Sequence, residues 1–167
     1  MRTAIATVIV VCMFGLMSVL SVPSVSANED DEDKLACSLE ISIDLSVPPS
    51  GPPNGRHWQG SISGDIEGTI QLWPRPSESY NVGAVRHYVE DFVITTTSED
   101  VVKGYESGVW TSANLKFRSN GMVTDATGDF AYLVGYETHQ MGVASAFPPV
   151  PPPSIITGSA VMSLSAP

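Results

Sequence analysis

The stretch Leu115–Tyr136, LKFRSNGMVTDATGDFAYLVGY, constrains the fold more than any other part of the chain. It carries two turn signals, Asn120-Gly121 and Thr127-Gly128-Asp129, between three short runs rich in β-branched and aromatic residues. Asn-Gly between such runs predicts a two-residue hairpin loop, because both central positions of a type I′ turn need positive φ. That register sets Lys116 opposite Asp125, and Leu115 and Phe117 opposite Ala126 and Thr124. One face of the hairpin is then a complementary charge pair and the other is mostly apolar.

The other segments repeat the same period. Ala36–Val47 alternates strictly, with Cys37, Leu39, Ile41, Ile43, Leu45 and Val47 on one face and serines and acids on the other, as in a half-buried strand. Pro48–Gly55 (PPSGPPNG) ends it. Trp58–Leu72 reads as one long strand in which Gly60, Gly64 and Gly68 share the face of Ile62, Ile66, Ile70 and Leu72. Glycine weakens a flat strand, but it suits a coiled one inside a small barrel, where facing side chains need room. Trp73–Ser79 is a connecting loop, since the prolines flanking Arg75 keep it out of a central ladder.

Val85–Thr97 reads as a further strand with neither face cleanly apolar. In Val101–Arg118 the parity set by the hairpin places Val109, Ala113, Leu115 and Phe117 on the apolar face. Trp110 breaks that parity, which predicts a bulge near Gly108 or an aromatic on the outer surface. Phe130–Tyr136 is apolar on both parities, as in a segment covered on both faces. His139–Phe147 is a weaker strand, and Pro148–Pro153 is a stiff, proline-rich connector. Ile155–Ser165 alternates again and is expected to pair back onto the first strand. The fold class is therefore all-β: a closed antiparallel β-barrel of about eight strands, residues 36–167, with proline-rich loops at 48–56 and 148–153.

Residues 1–27 carry the pattern of a signal peptide. Arg2 precedes the apolar run Ala4–Leu20, and Val25-Ser26-Ala27 is a small-residue cleavage signal. The alternative is a retained anchor, for which the run is short. Residues 28–35 form an acidic leader expected to be disordered. Cleavage removes Arg2, leaving seven basic residues against eighteen acidic ones, a formal charge of −11. So acidic a chain does not suit nucleic acid, which selects basic patches. It suits a soluble protein outside the cell, secreted or in the cell envelope, with no membrane association after cleavage. Cleavage also removes Cys12, leaving Cys37, which reads as a buried small hydrophobe.

The chain points to no cofactor and no metal. His57, His87 and His139 have no ligand spacing, and no nucleophile elbow or phosphate loop is present. One constellation carries chemistry: Arg86, Tyr88, Glu90 and Phe92 share a strand face. Facing inward they form a ligand site in which Glu90 has a raised pKa and acts as acid or base, Arg86 holds a ligand carboxylate, and Tyr88 donates a hydrogen bond. The simpler expectation puts Arg86 and Glu90 outside as exposed cross-strand partners, because buried Arg and Glu are rare unless paired.

Several motifs together carry a family resemblance. They are Gly60-x-x-x-Gly64-x-x-x-Gly68, Glu90-x-Phe92, Gly104-x-x-x-Gly108, Asn120-Gly121-x-Val123-Thr124-x-Ala126-Thr127-Gly128-x-Phe130 and Leu133-x-Gly135. Across Trp58–Gly142 the chain resembles the allene oxide cyclase and dirigent barrel-like group. The resemblance implies an eight-stranded antiparallel barrel with a central cavity. Members include a cyclase of an unsaturated fatty-acid epoxide and guides of phenoxy-radical coupling, which work mainly by shaping the cavity. No catalytic residue carries over, since no motif around a catalytic position matches. The expected function is binding of a small apolar ligand or a surface interaction role, with a cyclase or dirigent-type enzyme as the alternative. Dimers or trimers are compatible with such a barrel.

Overall fold

The computed structural model describes residues 34–48, 52–149 and 154–167. The signal segment, residues 28–33 of the acidic leader and most of the Pro148–Pro153 connector lie outside them. The strands are β1 (Lys34–Asp44), β2 (Trp58–Gly64), β3 (Gly68–Pro74), β4 (Tyr80–Val82), β5 (Val85–Thr96), β6 (Val101–Thr111), β7 (Lys116–Ala126), β8 (Glu137–Ala144) and β9 (Ile155–Ser165). All pairings are antiparallel, and β3 pairs with β5 to close eight of the strands into a barrel. The seam expected between the first and last strands is present: β1 and β9 pair along their full length, from Lys34 opposite Ser165 to Asp44 opposite Ile155. β1 begins at Lys34, so the last two residues of the expected leader already belong to the sheet, and it ends at Asp44, before Leu45 and Val47. Among the described residues no helix is long and apolar enough to cross a membrane.

β4 is not a full stave. β3 stops at Pro74, the chain detours through a 3-10 turn at Pro76–Glu78, and β4 then takes up the same side of β5, with Tyr80 opposite His87. Prolines around Arg75 interrupt the ladder, as the sequence predicts. Arg75 instead donates to Asp91 on the outer surface, at 2.5 and 3.0 Å.

Four expectations need correction. The first concerns Asn120-Gly121, which is not a turn: β7 runs straight through it. A side chain on Gly121 would put its Cβ 1.8 Å from the Tyr105 carbonyl oxygen, so the glycine serves a close approach of β6 to its neighbour β7. Asn120 faces outward, its Oδ1 2.6 Å from His139 Nδ1. The hairpin lies earlier, at Ser112–Leu115, and Asp125 pairs with Lys103 of β6 rather than Lys116, Nζ to Oδ2 at 3.2 Å. Second, Trp58–Leu72 is two strands, because Gly64 adopts φ +126 and starts a tight turn that still buries Ile66. Third, Trp110 points inward, and the only register shift between β6 and β7 lies at Lys103/Gly104, leaving Thr124 as the extra residue. Fourth, Phe130–Tyr136 is not covered on both faces, since Tyr132 and Val134 are exposed. Gly128–Leu133 is a 3-10 turn that crosses one end of the barrel and drops Leu133 into the core.

That end is solid. Cys37, Leu39, Ile62, Ile66, Ile70, Ile94, Val102, Val123, Leu133, Met162 and Leu164 interlock there, and Phe92 lies over Gly104 of β6. Cys37 behaves as the buried hydrophobe expected. Full burial of side chains of this size is worth roughly 1.5–3 kcal/mol each relative to exposure, and it dominates the stability of the fold.

Candidate functional site

The opposite end of the barrel is open. A cavity of about 240 Å³ lies there, with aromatic and aliphatic walls from Trp58, Trp110, Phe117, Tyr88, Ile43 and Leu72. Trp58 meets Trp110 edge to face with ring centroids 5.9 Å apart, and Phe147 meets Trp110 in the same way at 5.0 Å. Pro74 and Pro76, from the interruption between β3 and β4, form part of the rim, as does Pro148. Arg56 stands at the rim as well, fixed by hydrogen bonds from Nε to the Val47 carbonyl and from Nη2 to the Leu45 carbonyl, at 2.8 and 2.7 Å.

The four residues singled out on β5 all face the interior. Tyr88, Glu90 and Phe92 are buried, and Arg86, Tyr88 and Glu90 line the cavity, while Phe92 belongs to the packed end. The expectation that Arg86 and Glu90 lie outside as exposed partners is therefore overturned. The opposite parity of β5 carries His87, Asp91 and Val93, and Asp91 is the residue that takes an exposed partner, Arg75. Burial of Glu90 is tolerated because it sits where the packed core gives way to the cavity, in a layer of other polar side chains.

That layer was missed in the sequence. Glu106, Ser119, Thr138 and Gln140, from β6, β7 and β8, are all buried at the level of Glu90. Glu106 lies directly opposite Glu90 and accepts a 2.7 Å hydrogen bond from Ser119 Oγ. Burial raises the Glu106 pKa, while the hydroxyls of Ser119 and Thr138 pull it partway back. Burial also raises Glu90, to about 8, with the neighbouring Glu106 charge adding to the effect and Arg86 opposing it. Glu90 therefore holds its proton at neutral pH. Tyr88 is pushed well above its ordinary value by burial and by Glu90. A signal for the layer does exist: Glu106 and Trp110 share the parity of Gly104 and Gly108. Those glycines lie opposite Phe92 and Tyr88, whose rings fill the space a side chain would take.

The histidines do not converge on the site. His57 stacks on Trp73, His87 stacks on Tyr80, and His139 pairs with Asn120. Among the described residues no group of three or more His, Cys, Asp or Glu is arranged to hold a metal ion. Chemically the site offers an apolar enclosure, a neutral carboxyl poised to exchange a proton near neutral pH, and guanidinium groups at its mouth.

Comparison of the chain with protein-family models, with curated proteins and with solved structures finds no match.

Proposed function

We propose that this protein binds a small, largely apolar molecule in the open end of its barrel. The observation that carries the reading is the aromatic-walled cavity itself. It ends on a few polar groups, Glu90 and Gln140, in the manner of ligand pockets that combine apolar walls with sparse orienting contacts. We read residues 1–27 as an export signal, so the ligand is met in an extracytoplasmic compartment. N-terminal sequencing of the mature protein tests this, with Asn28 as the expected first residue. Native mass spectrometry of protein purified from its own host tests the binding. A small mass increment that survives gentle ionisation and vanishes on denaturation supports a carrier or receptor role. Bare protein under every condition, particularly as a fixed oligomer, turns the reading towards a surface interaction role.

A second reading is favoured by the inward position of Glu90. In it the barrel is an enzyme of the cyclase or dirigent kind, folding a reactive apolar substrate against its walls while Glu90 donates or accepts a proton. Glu90→Gln separates the two. Turnover lost with ligand affinity retained supports catalysis, whereas no turnover of any bound ligand by the native protein leaves binding alone.

A further inference from the structure

Among the described residues, the charged side chains that line the cavity are Arg56, Arg86 and Glu90. Glu90 holds its proton at neutral pH, so the lining is cationic although the whole chain carries −10. Neither arginine makes an ion pair among the described residues. Arg56 spends its Nε and one Nη2 hydrogen on the Val47 and Leu45 carbonyls, which fixes the guanidinium at the rim and leaves its other N–H groups for a ligand. The Asp44 carboxylate is exposed on the outer parity of β1 and already accepts from Ser46 N and Oγ, at 2.8 and 2.7 Å, with the Arg56 charge the smallest influence on it. Arg86 is half-buried on the cavity wall, opposite Trp110, whose Nε1 is a further donor without a partner among the described residues. The unpaired acceptors, Glu106 Oε1 and Gln140 Oε1, belong to the floor, at the level of Glu90. The polar side chains at the mouth are therefore donors only.

A half-buried guanidinium on an apolar wall needs a counter-charge. An amine would meet two like charges at this mouth, and an alcohol would leave both uncompensated. A carboxylate accepts paired, charge-assisted hydrogen bonds from the planar guanidinium fork. The body behind it must be small, because about 240 Å³ falls below the range of about 300–1,000 Å³ usual for drug-sized ligands. The walls of Trp58, Trp110, Tyr88 and Phe117 favour a ring, which they can meet edge to face or in offset stacks. We propose that the cavity is a site for a small aromatic carboxylate: Arg86 takes the carboxylate at the mouth, Arg56 adds its charge from the rim, and the ring lies among the aromatic walls. This rests on the reading of the cavity as a ligand site and names both ends of that ligand.

Three ligands of similar shape test this on the full protein by titration calorimetry at neutral pH: 3-phenylpropanoate, 3-phenylpropan-1-ol and 3-phenylpropylamine. The carboxylate is expected to bind at least about tenfold more tightly than the alcohol, and the amine most weakly. Arg86→Gln should bring the carboxylate-to-alcohol ratio close to one, and the comparison on the unaltered chain stands without that variant. Octanoate, the same charge on a flexible chain, should bind about threefold more weakly than 3-phenylpropanoate. Octanoate that binds as tightly overturns the ring. An alcohol that binds as well as the carboxylate, or an amine that binds better, overturns the acid assignment and leaves the ligand site standing. Failure of all four to bind at millimolar concentration overturns both.

Discussion

The two ends of this barrel are built from the same strands and differ only in what their inward positions carry. At the closed end, Ile, Leu and Met fill inward positions on β1, β3, β5 and β9, Val102 and Val123 add to them from β6 and β7, and a 3-10 turn seals them with Leu133. At the open end the same alternation presents Trp58, Tyr88, Trp110 and Phe117, which stand around a void. Between them lies the polar layer of Glu90, Glu106, Ser119, Thr138 and Gln140. Flexible aliphatic chains of similar size collapse onto one another. Rigid rings seated over Gly108 and Gly142 line a wall and leave the axis free. A cavity therefore needs no change of fold, only a change of side-chain type partway along β5, β6 and β7, from Ile94, Val102 and Val123 through Glu90, Glu106 and Ser119 to Tyr88, Trp110 and Phe117.

The sharpest way to break this comparison is through pH, because the buried carboxyls lie in the polar layer under the cavity and the closed end has none among the described residues. The folded protein holds the Glu90 proton up to about 8, whereas the unfolded chain releases it near 4.5. Stability should therefore fall as the pH rises through that window, by on the order of 5 kcal/mol in full. Denaturant titrations at a series of pH values measure the slope, and Glu90→Gln should flatten it. A slope of the opposite sign would remove Glu90 from the buried layer.

Next in size is a matched pair of truncations. Phe92→Ala at the closed end should cost about 4 kcal/mol, since the space it leaves is hemmed in by packed neighbours. Phe117→Ala should cost about half that, because its ring already borders open volume, while weakening ligand retention. Equal losses in thermal or chemical melts would mean that both ends are packed alike.

The smallest effect is expected on the outer wall. Val161 and Met141 are neighbours on β9 and β8, 56% and 57% exposed. Val161→Lys should change stability by less than about 0.5 kcal/mol. Sedimentation analysis of the same variant gives it a second use. An oligomer that falls apart would show that this face holds copies together.

Much of the architecture was legible. Strict alternation in β1 and β9 identified both strands and the seam between them, because period two leaves no other way to bury one face. The Asn120-Gly121 pair misled because the two residues serve different neighbours: Gly121 yields space to β6, and Asn120 meets His139. Local turn chemistry gave way to long-range pairing with the strands on either side. The site was half visible. Arg86, Tyr88 and Glu90 stood out as a group, but β5 has mixed faces, and the rule against burying charge pointed the wrong way. What the rule lacked was knowledge that Glu106, Ser119 and Gln140 arrive at the same level from three other strands. Trp110 was misplaced with them, since its parity was counted from a hairpin that does not exist.

The seam between β1 and β9 sets the direction in which the molecule faces. Lys34 and Ser165 are side by side at the sealed end, on the far side from the mouth. Whatever precedes Lys34 or follows Ser165 leaves the barrel from its base. A tether there would hold the molecule like a cup by its foot, with the opening turned away from the surface that carries it.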